Sequence, residues 1–259
     1  MQALQRLLTI MESLRDPVSG CPWDIKQNFQ SIVPHTIEEA YEVADAIAKG
    51  EPQAIKDELG DLLFQVVFYA QLGKEQQWFD FADIASTVSD KLERRHPHVF
   101  GSGDVADEEA VKEQWEAIKK QERAEKKNSS SVFDDIPANL PALLQAVKIQ
   151  KRCRSVGFDW HDIKDVSAKV REEIEEVEEE LQGTVEQNRV EEEVGDLLFA
   201  AVNLARHAKV NPENALRGAN QKFMQRFRYI EQQVAAQDKA VDDYSLEQLE
   251  NFWQLAKQR

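Results

Sequence analysis

Two places in the chain carry four acidic residues in one arrangement. Glu39 and Glu42 are three positions apart, as are Glu58 and Asp61; downstream, Glu173 with Glu176 and Glu193 with Asp196 repeat the spacing. On an α-helix that spacing puts both side chains on one face. If the two helices of each set lie side by side, four carboxylates point into one inter-helix space. Four anions do not stay buried together without a cation. Carboxylate oxygens without His or Cys select a hard divalent ion, Mg²⁺, with Mn²⁺ as a possible substitute. A di-iron bundle would need paired Glu-x-x-His motifs; only Glu93–His96 fits, and its downstream counterpart is Met224 to Phe227.

Blander readings stand beside this one. "REEIEEVEEE" has the character of a solvated helix face, and Glu39 sits where a capping box opened by Thr36 would place its partner. Capping does not explain the second set, where Ala168, Lys169 or Val170 occupies that place. The acids of "ELGD" and "EVGD" abut apolar runs such as "LLFQVVFYA", which are expected to be buried. Gly60 and Gly195 sit inside these helices, where glycine costs about 1 kcal/mol against alanine. Either close helix packing or the approach of a metal-bound ligand to bare backbone explains them. Lys91 with Arg95, and Lys222 with Arg226, have i, i+4 spacing; they suit a polyanionic substrate or are ordinary surface cations. Trp115 and Trp253 stack on a base or anchor a terminal helix. His98 belongs to a turn, and His35, His161 and His207 show no ligand partners at useful spacing.

The elements that position these residues come in two copies. "ELGDLLFQVVFYA" at Glu58 answers "EVGDLLFAAVNLA" at Glu193, and "EEAYE" (38–42) answers "EEIEE" (172–176). Lys91/Arg95, Trp115 and "CPWD" have relatives at Lys222/Arg226, Trp253 and "GFDW", in the same order. This is an internal duplication. Residues 1–127 form the first copy, 128–136 a polar linker within "KKNSSSVFDDIPANLP", and 137–259 the second; "GSGDVADEE" (101–109) sets off the last helix of copy one. Copy one is expected to have helices at Ala3–Leu14, from Thr36 to about Ala48, from about Ala54 to Leu72, and from about Asp83 to an end imposed by Pro97. Copy two follows the same plan with a longer turn near Gly183. The short connection "KGEPQ" makes its flanking helices antiparallel neighbours.

Composition agrees with an all-α protein of tandem, duplicated helical bundles. Only 10 Gly and 8 Pro occur among 259 residues, and no β-branched runs alternate. The formal net charge of −16 argues against a nucleic-acid polymer as partner. A phosphate-bearing small substrate is compatible with it, since bound divalent ions reverse the local field. The N-terminal residues lack a signal-peptide layout and no apolar run approaches a membrane span. Cys21 and Cys153 suit a reducing cytosol, so a soluble cytoplasmic protein without a disulfide is expected.

The order Glu-Glu-x-x-Glu, Glu-x-x-Asp, Lys-x-x-x-Arg in helical surroundings resembles the MazG family of nucleoside triphosphate pyrophosphohydrolases. "GCPWD", "ERRHPHVF" and "VGFDW", with the duplication, resemble the full-length bacterial form. The resemblance implies Mg²⁺-dependent hydrolysis of a nucleoside triphosphate to the monophosphate and pyrophosphate, a homodimer, and a house-cleaning role towards nucleotides. It implies metal ligands at Glu173, Glu176, Glu193 and Asp196, with Glu39, Glu42, Glu58 and Asp61 as equivalents. It implies nucleotide contacts from Lys169, Val170, Arg171 and Glu172, from Arg189, Val190, Glu191 and Glu192, and from Lys222, Arg226 and Trp253; copy one offers Lys91, Arg95 and Trp115. Glu172, or Glu38, would serve as general base. Pro97 ends the copy-one helix just after its basic pair, so copy two is expected to be the main catalyst. A non-catalytic helical scaffold and a phosphohydrolase releasing orthophosphate are the alternatives, separated by Mg²⁺ dependence and by the product.

Overall fold

A computed structural model describes residues 2–101, 107–125 and 131–258. Expected loop residues 102–106 and linker residues 128–130 lie outside the described set. The described residues contain helices and no strand, and the chain divides into two compact units, Met1–Glu125 and Lys126–Arg259.

Unit 1 runs α1 (Gln2–Leu14), a 3₁₀ turn (Asp24–Lys26), α2 (Phe29–Lys49), α3 (Pro52–Glu75), α4 (Phe81–Arg95), a one-turn α5 (Pro97–Phe100) and α6 (Glu108–Glu125). The α2–α3 hairpin is its centre. Gly50 ends α2 in the left-handed conformation, φ 72°, and Pro52 opens α3 at its first turn, where a missing N–H costs nothing. The core is Met11, Ile32, Val67, Phe68 and Leu72, with Phe29, Phe64 and Tyr69 packed against it. Arg15 fastens α1 to the end of α3: its guanidinium donates to both oxygens of Glu75 at 2.7 and 2.5 Å, and to the carbonyl of Asp24.

One expectation is corrected here. Helix α2 opens at Phe29, seven residues before Thr36. Asn28 accepts from the amides of Gln30 and Ser31, and the Ser31 hydroxyl accepts from the Asn28 amide, which completes the capping box. Pro34 is carried inside the helix. Thr36 is no cap: its hydroxyl donates back to Ile32 O and pairs with the Tyr69 hydroxyl at 2.9 Å. Pro97 does stand just past the end of α4, with His96 as its C-cap.

Unit 2 runs α7 (Ala142–Ser155), α8 (Ile163–Glu180), α9 (Gln187–His207), α10 (Pro212–Ala235), a 3₁₀ turn (Val241–Asp243) and α11 (Leu246–Ala256). Its central hairpin is α8–α9. Val166, Val202, Ile230, Val234 and Ala256 are buried, and the buried Gln150 of α7 donates to Phe199 O of α9 at 2.9 Å. Cys21 and Cys153 are both free thiols. The apolar runs after the acids are only partly covered within one chain. Val67, Phe68 and Val202 are buried, whereas Leu59, Leu63, Leu198 and Phe199 are exposed.

Candidate active site

Each central hairpin brings its four acids level. Glu39 and Asp61 lie eleven residues before and after Gly50, and Glu42 and Glu58 eight before and after. Antiparallel helices of equal rise then place Glu39 opposite Asp61 and Glu42 opposite Glu58. In unit 2 the same pairs, Glu173 with Asp196 and Glu176 with Glu193, are equidistant from a turn centred between Thr184 and Val185. One carboxylate oxygen from each of Glu39, Glu58 and Asp61 lies within 4.8 Å of the others, and so it is for Glu173, Glu193 and Asp196. Glu42 and Glu176 adjoin these triads. Partial burial, then Asp61 and Glu42, raise the Glu39 carboxyl above its ordinary range; partial burial, then Glu42 and Asp61, raise Glu58. Burial and then Glu173 raise Glu176 in the same way.

The acids themselves fit a hard cation. Glu173 is 4% exposed, and its Oε2 is buried without a hydrogen-bond partner. In unit 1 the buried Gln65 donates to Glu39 Oε1 at 3.4 Å, and its own Oε1 is likewise buried and unpartnered. Orphaned hard oxygens beside clustered carboxylates are an expensive arrangement without a cation. The glycines match it. A Cβ built at Gly60 or Gly195 meets nothing within 4 Å, so close packing inside the chain does not require glycine there, and the space beside "ELGD" and "EVGD" is open.

The surroundings of the two clusters differ. In unit 2 Lys169 Nζ lies 2.8 Å from Glu173 Oε1 and 2.9 Å from Glu172 Oε1. Those hydrogen bonds, to Glu173 first, hold the ammonium more firmly protonated than usual. Arg189 reaches Glu180, Glu192 and Glu193 at 3.1, 3.0 and 3.2 Å. Arg171 and Glu191 are exposed, Val170 and Val190 half-buried. In unit 1 Glu38 is exposed, its carboxylate 3.7 Å from the His35 ring.

The basic pairs also diverge. Arg95 and Arg94 both grip Glu122 of α6, at 2.6 and 2.7 Å, and these bonds hold its carboxyl down to about 2. Trp115 of α6 stands edge-on to His96, ring centroids 5.0 Å apart, its indole N–H buried without a partner. In unit 2 Arg226 lies over the Trp253 ring at 5.5 Å, and Phe223 packs on the same ring. Among the described residues no ion pair joins Lys91, Lys222 or Arg226 to an acid, and none joins either basic pair to the carboxylate clusters.

Sequence spacing missed two features. Gln65 reads as one polar residue in an apolar run. The cluster at the end of α9 was also missed. Asp159 Oδ1 accepts from Arg206 at 2.5 Å, lies 3.1 Å from His207 Nε2, and is held below the ordinary carboxylate range by those partners despite its burial. Asn203 accepts from Arg206 Nε at 3.0 Å. This clamp ties the "GFDW" loop to α9, and only the Arg–His pair at the helix end hinted at it.

Comparison with known proteins matches both units to one family. The model of the MazG nucleotide pyrophosphohydrolase domain matches residues 27–100 and again 162–230, which takes in both central hairpins. The chain is 54% identical over 260 aligned residues to the nucleoside triphosphate pyrophosphohydrolase of Escherichia coli K12, covering all of this chain and 98% of that protein. It is 42% identical to the nucleoside triphosphate pyrophosphohydrolase/pyrophosphatase MazG of Thermotoga maritima, over 98% of this chain and 95% of that one. A crystal structure of a mazG-related protein from Thermotoga maritima aligns with 45% of the chain at 30% identity and a TM-score of 0.38. The chain is thus a member of the MazG nucleotide pyrophosphohydrolase family, carrying that domain twice.

Proposed function

We propose that the protein hydrolyses nucleoside triphosphates to the monophosphate and pyrophosphate, with Mg²⁺ held by Glu173, Glu176, Glu193 and Asp196 and a second such site at Glu39, Glu42, Glu58 and Asp61. The observation that carries this reading is the pair of carboxylate triads, each with oxygens within 4.8 Å, inside the two matched domains. A divalent cation bound there would neutralise phosphate charge and lower the pKa of an attacking water. The chain's own residues do the rest. Exposed Glu172 stands next to the cage with its Oε1 bound to Lys169 at 2.9 Å, and its carboxylate is the group that would accept a proton from water attacking the α-phosphorus. Lys169 and Arg189 carry positive charge to the rim of the same cage. Lys222 and Arg226, with Trp253 beneath the guanidinium, form a separate basic and aromatic face suited to phosphate and base.

Unit 2 is the main catalyst in this reading, because Arg226 is available to an anion where Arg95 is already taken by Glu122. The exposed apolar faces of the central hairpins, with Leu59 and Leu63 in one unit and Leu198 and Phe199 in the other, support a homodimer that covers them. Among the described residues no helix is long and apolar enough to cross a membrane, and the two free thiols accord with a cytoplasmic house-cleaning role. Identifying the product tests the central claim: pyrophosphate and monophosphate released from a triphosphate in the presence of Mg²⁺ is the expected result. Release of orthophosphate, or turnover unchanged by chelation of Mg²⁺, would overturn it. Sedimentation of the full chain tests the dimer, with Leu198→Asp expected to shift it towards monomer.

A further inference from the structure

The two copies hold the same acids with different counterions, and a consequence follows if the clusters are metal sites as read above. In unit 2 two of the caged acids are already engaged: Lys169 donates to Glu173 Oε1 at 2.8 Å and Arg189 to Glu193 Oε1 at 3.2 Å. Both cations come from the hairpin itself, one turn before the acid they touch. The matching positions in unit 1 are His35 and Ala54. Alanine has nothing to offer, and the His35 ring faces Glu38 at 3.7 Å. Among the described residues no Lys or Arg lies within ion-pair distance of Glu39, Glu42, Glu58 or Asp61; Lys49, which follows on the same helix, is bound to Asp45 at 2.6 Å. A neutral amide, Gln65, meets Glu39 instead, and its buried oxygen is left unpartnered. Unit 2 has Ala200 in that place.

A bare dication entering unit 2 must displace an ammonium and a guanidinium from carboxylate oxygens and leave them without those partners. A dication arriving with a polyphosphate brings oxygens that accept both. In unit 1 no described cation has to leave, and an added cation relieves repulsion among acids held together by the hairpin. We propose that the copies load differently: unit 1 binds a bare divalent cation at Glu39, Glu58 and Asp61, whereas unit 2 binds one tightly only together with a polyphosphate that takes over Lys169 and Arg189. Lys169 is then a stand-in counterion, a positioning residue that makes metal entry depend on substrate.

Mn²⁺ titration of the full chain, followed by the loss of the free-ion paramagnetic resonance signal, tests this without turnover. The added nucleotide is a triphosphate with a methylene bridge between the α- and β-phosphorus. Without nucleotide, one tight Mn²⁺ per chain is expected, lost in Asp61→Asn and in Glu58→Gln and kept in Asp196→Asn. With the analogue, a second Mn²⁺ is expected, lost in Asp196→Asn. Lys169→Met should tighten nucleotide-free binding at the second site by about tenfold, the equivalent of one pKa unit of lost competition. Two equal sites without nucleotide, a tight site that survives both unit 1 variants, or no response to Lys169→Met would overturn the proposal while leaving the metal reading intact. No Mn²⁺ bound by either copy, with or without the analogue, would overturn the metal reading and this inference with it.

Discussion

The two central hairpins carry the same four acids at the same heights, yet the residues around them have gone separate ways. In α3 the run after the acids is "VVFYA", and Phe68 is fully buried in an aromatic and aliphatic core, with Arg15, just past α1, over its ring at 5.4 Å. In α9 the run is "AVNLA", and Asn203, in the place of Phe68, is buried as the partner of Arg206. Copy one is thus braced by apolar packing and, among the described residues, gives its acids no Lys or Arg partner. Copy two is braced partly by a polar clamp and arms its acids with Lys169 and Arg189. The duplication repeats the acids, while the support and the charge around them differ between the copies.

The widest gap between the copies is expected in turnover. Glu193→Gln should lower pyrophosphate release on the order of 10²–10³-fold, as loss of an electrostatic element at the reacting centre does, while Glu58→Gln changes it by less than about twofold. Equal losses would make the copies equal partners. The next contrast is in stability. Phe68→Ala should cost about 3–5 kcal/mol through the cavity it leaves, and Asn203→Ala about 1–3 kcal/mol through the unsatisfied Arg206; denaturant melts of the full chain read both, and the reverse order would break the contrast in bracing. Smaller still, Gly60→Ala and Gly195→Ala should fold and gain up to about 1 kcal/mol of helix stability. If Gly195 serves ligand approach, its variant alone loses affinity for the triphosphate analogue in calorimetry.

The smallest effect is in acid. Glu122 is held down to about 2 from an ordinary 4.5 by Arg95 and Arg94. The contact therefore contributes fully above pH 4.5 and is lost as the pH falls from there towards 2. Fluorescence of Trp115, on the same helix, should report α6 loosening from α4 across that window, and Glu122→Gln should abolish the step. Arg226 and Trp253, which have no such acid among the described residues, should show none.

Much of this was legible from spacing. The i, i+3 acids, the short connection and the repeat place four carboxylates per copy on facing helices, and that arrangement is what the hairpins show. The start of α2 was not legible, because Pro34 reads as a helix breaker. Its missing amide costs one bond near the beginning of the helix, which the Asn28–Ser31 capping box and the buried Ile32 outweigh. The exposure of Leu59 and Leu198 was not legible either. Periodicity says that a face is apolar without saying whether the same chain covers it. Gln65 and the Asp159–Arg206–His207 clamp depend on which residues meet across elements, and local pattern carries no such information.

The level pairing of acids about Gly50 also bears on how the protein forms. All four carboxylates of copy one fall between residues 39 and 61, so the cage is closed by a short loop whose ordering entropy is small. Local contacts of this kind go with fast folding. Forming the hairpin brings four like-charged acids together. An ion that bridges those acids would offset that repulsion and so stabilise the folded unit that holds it.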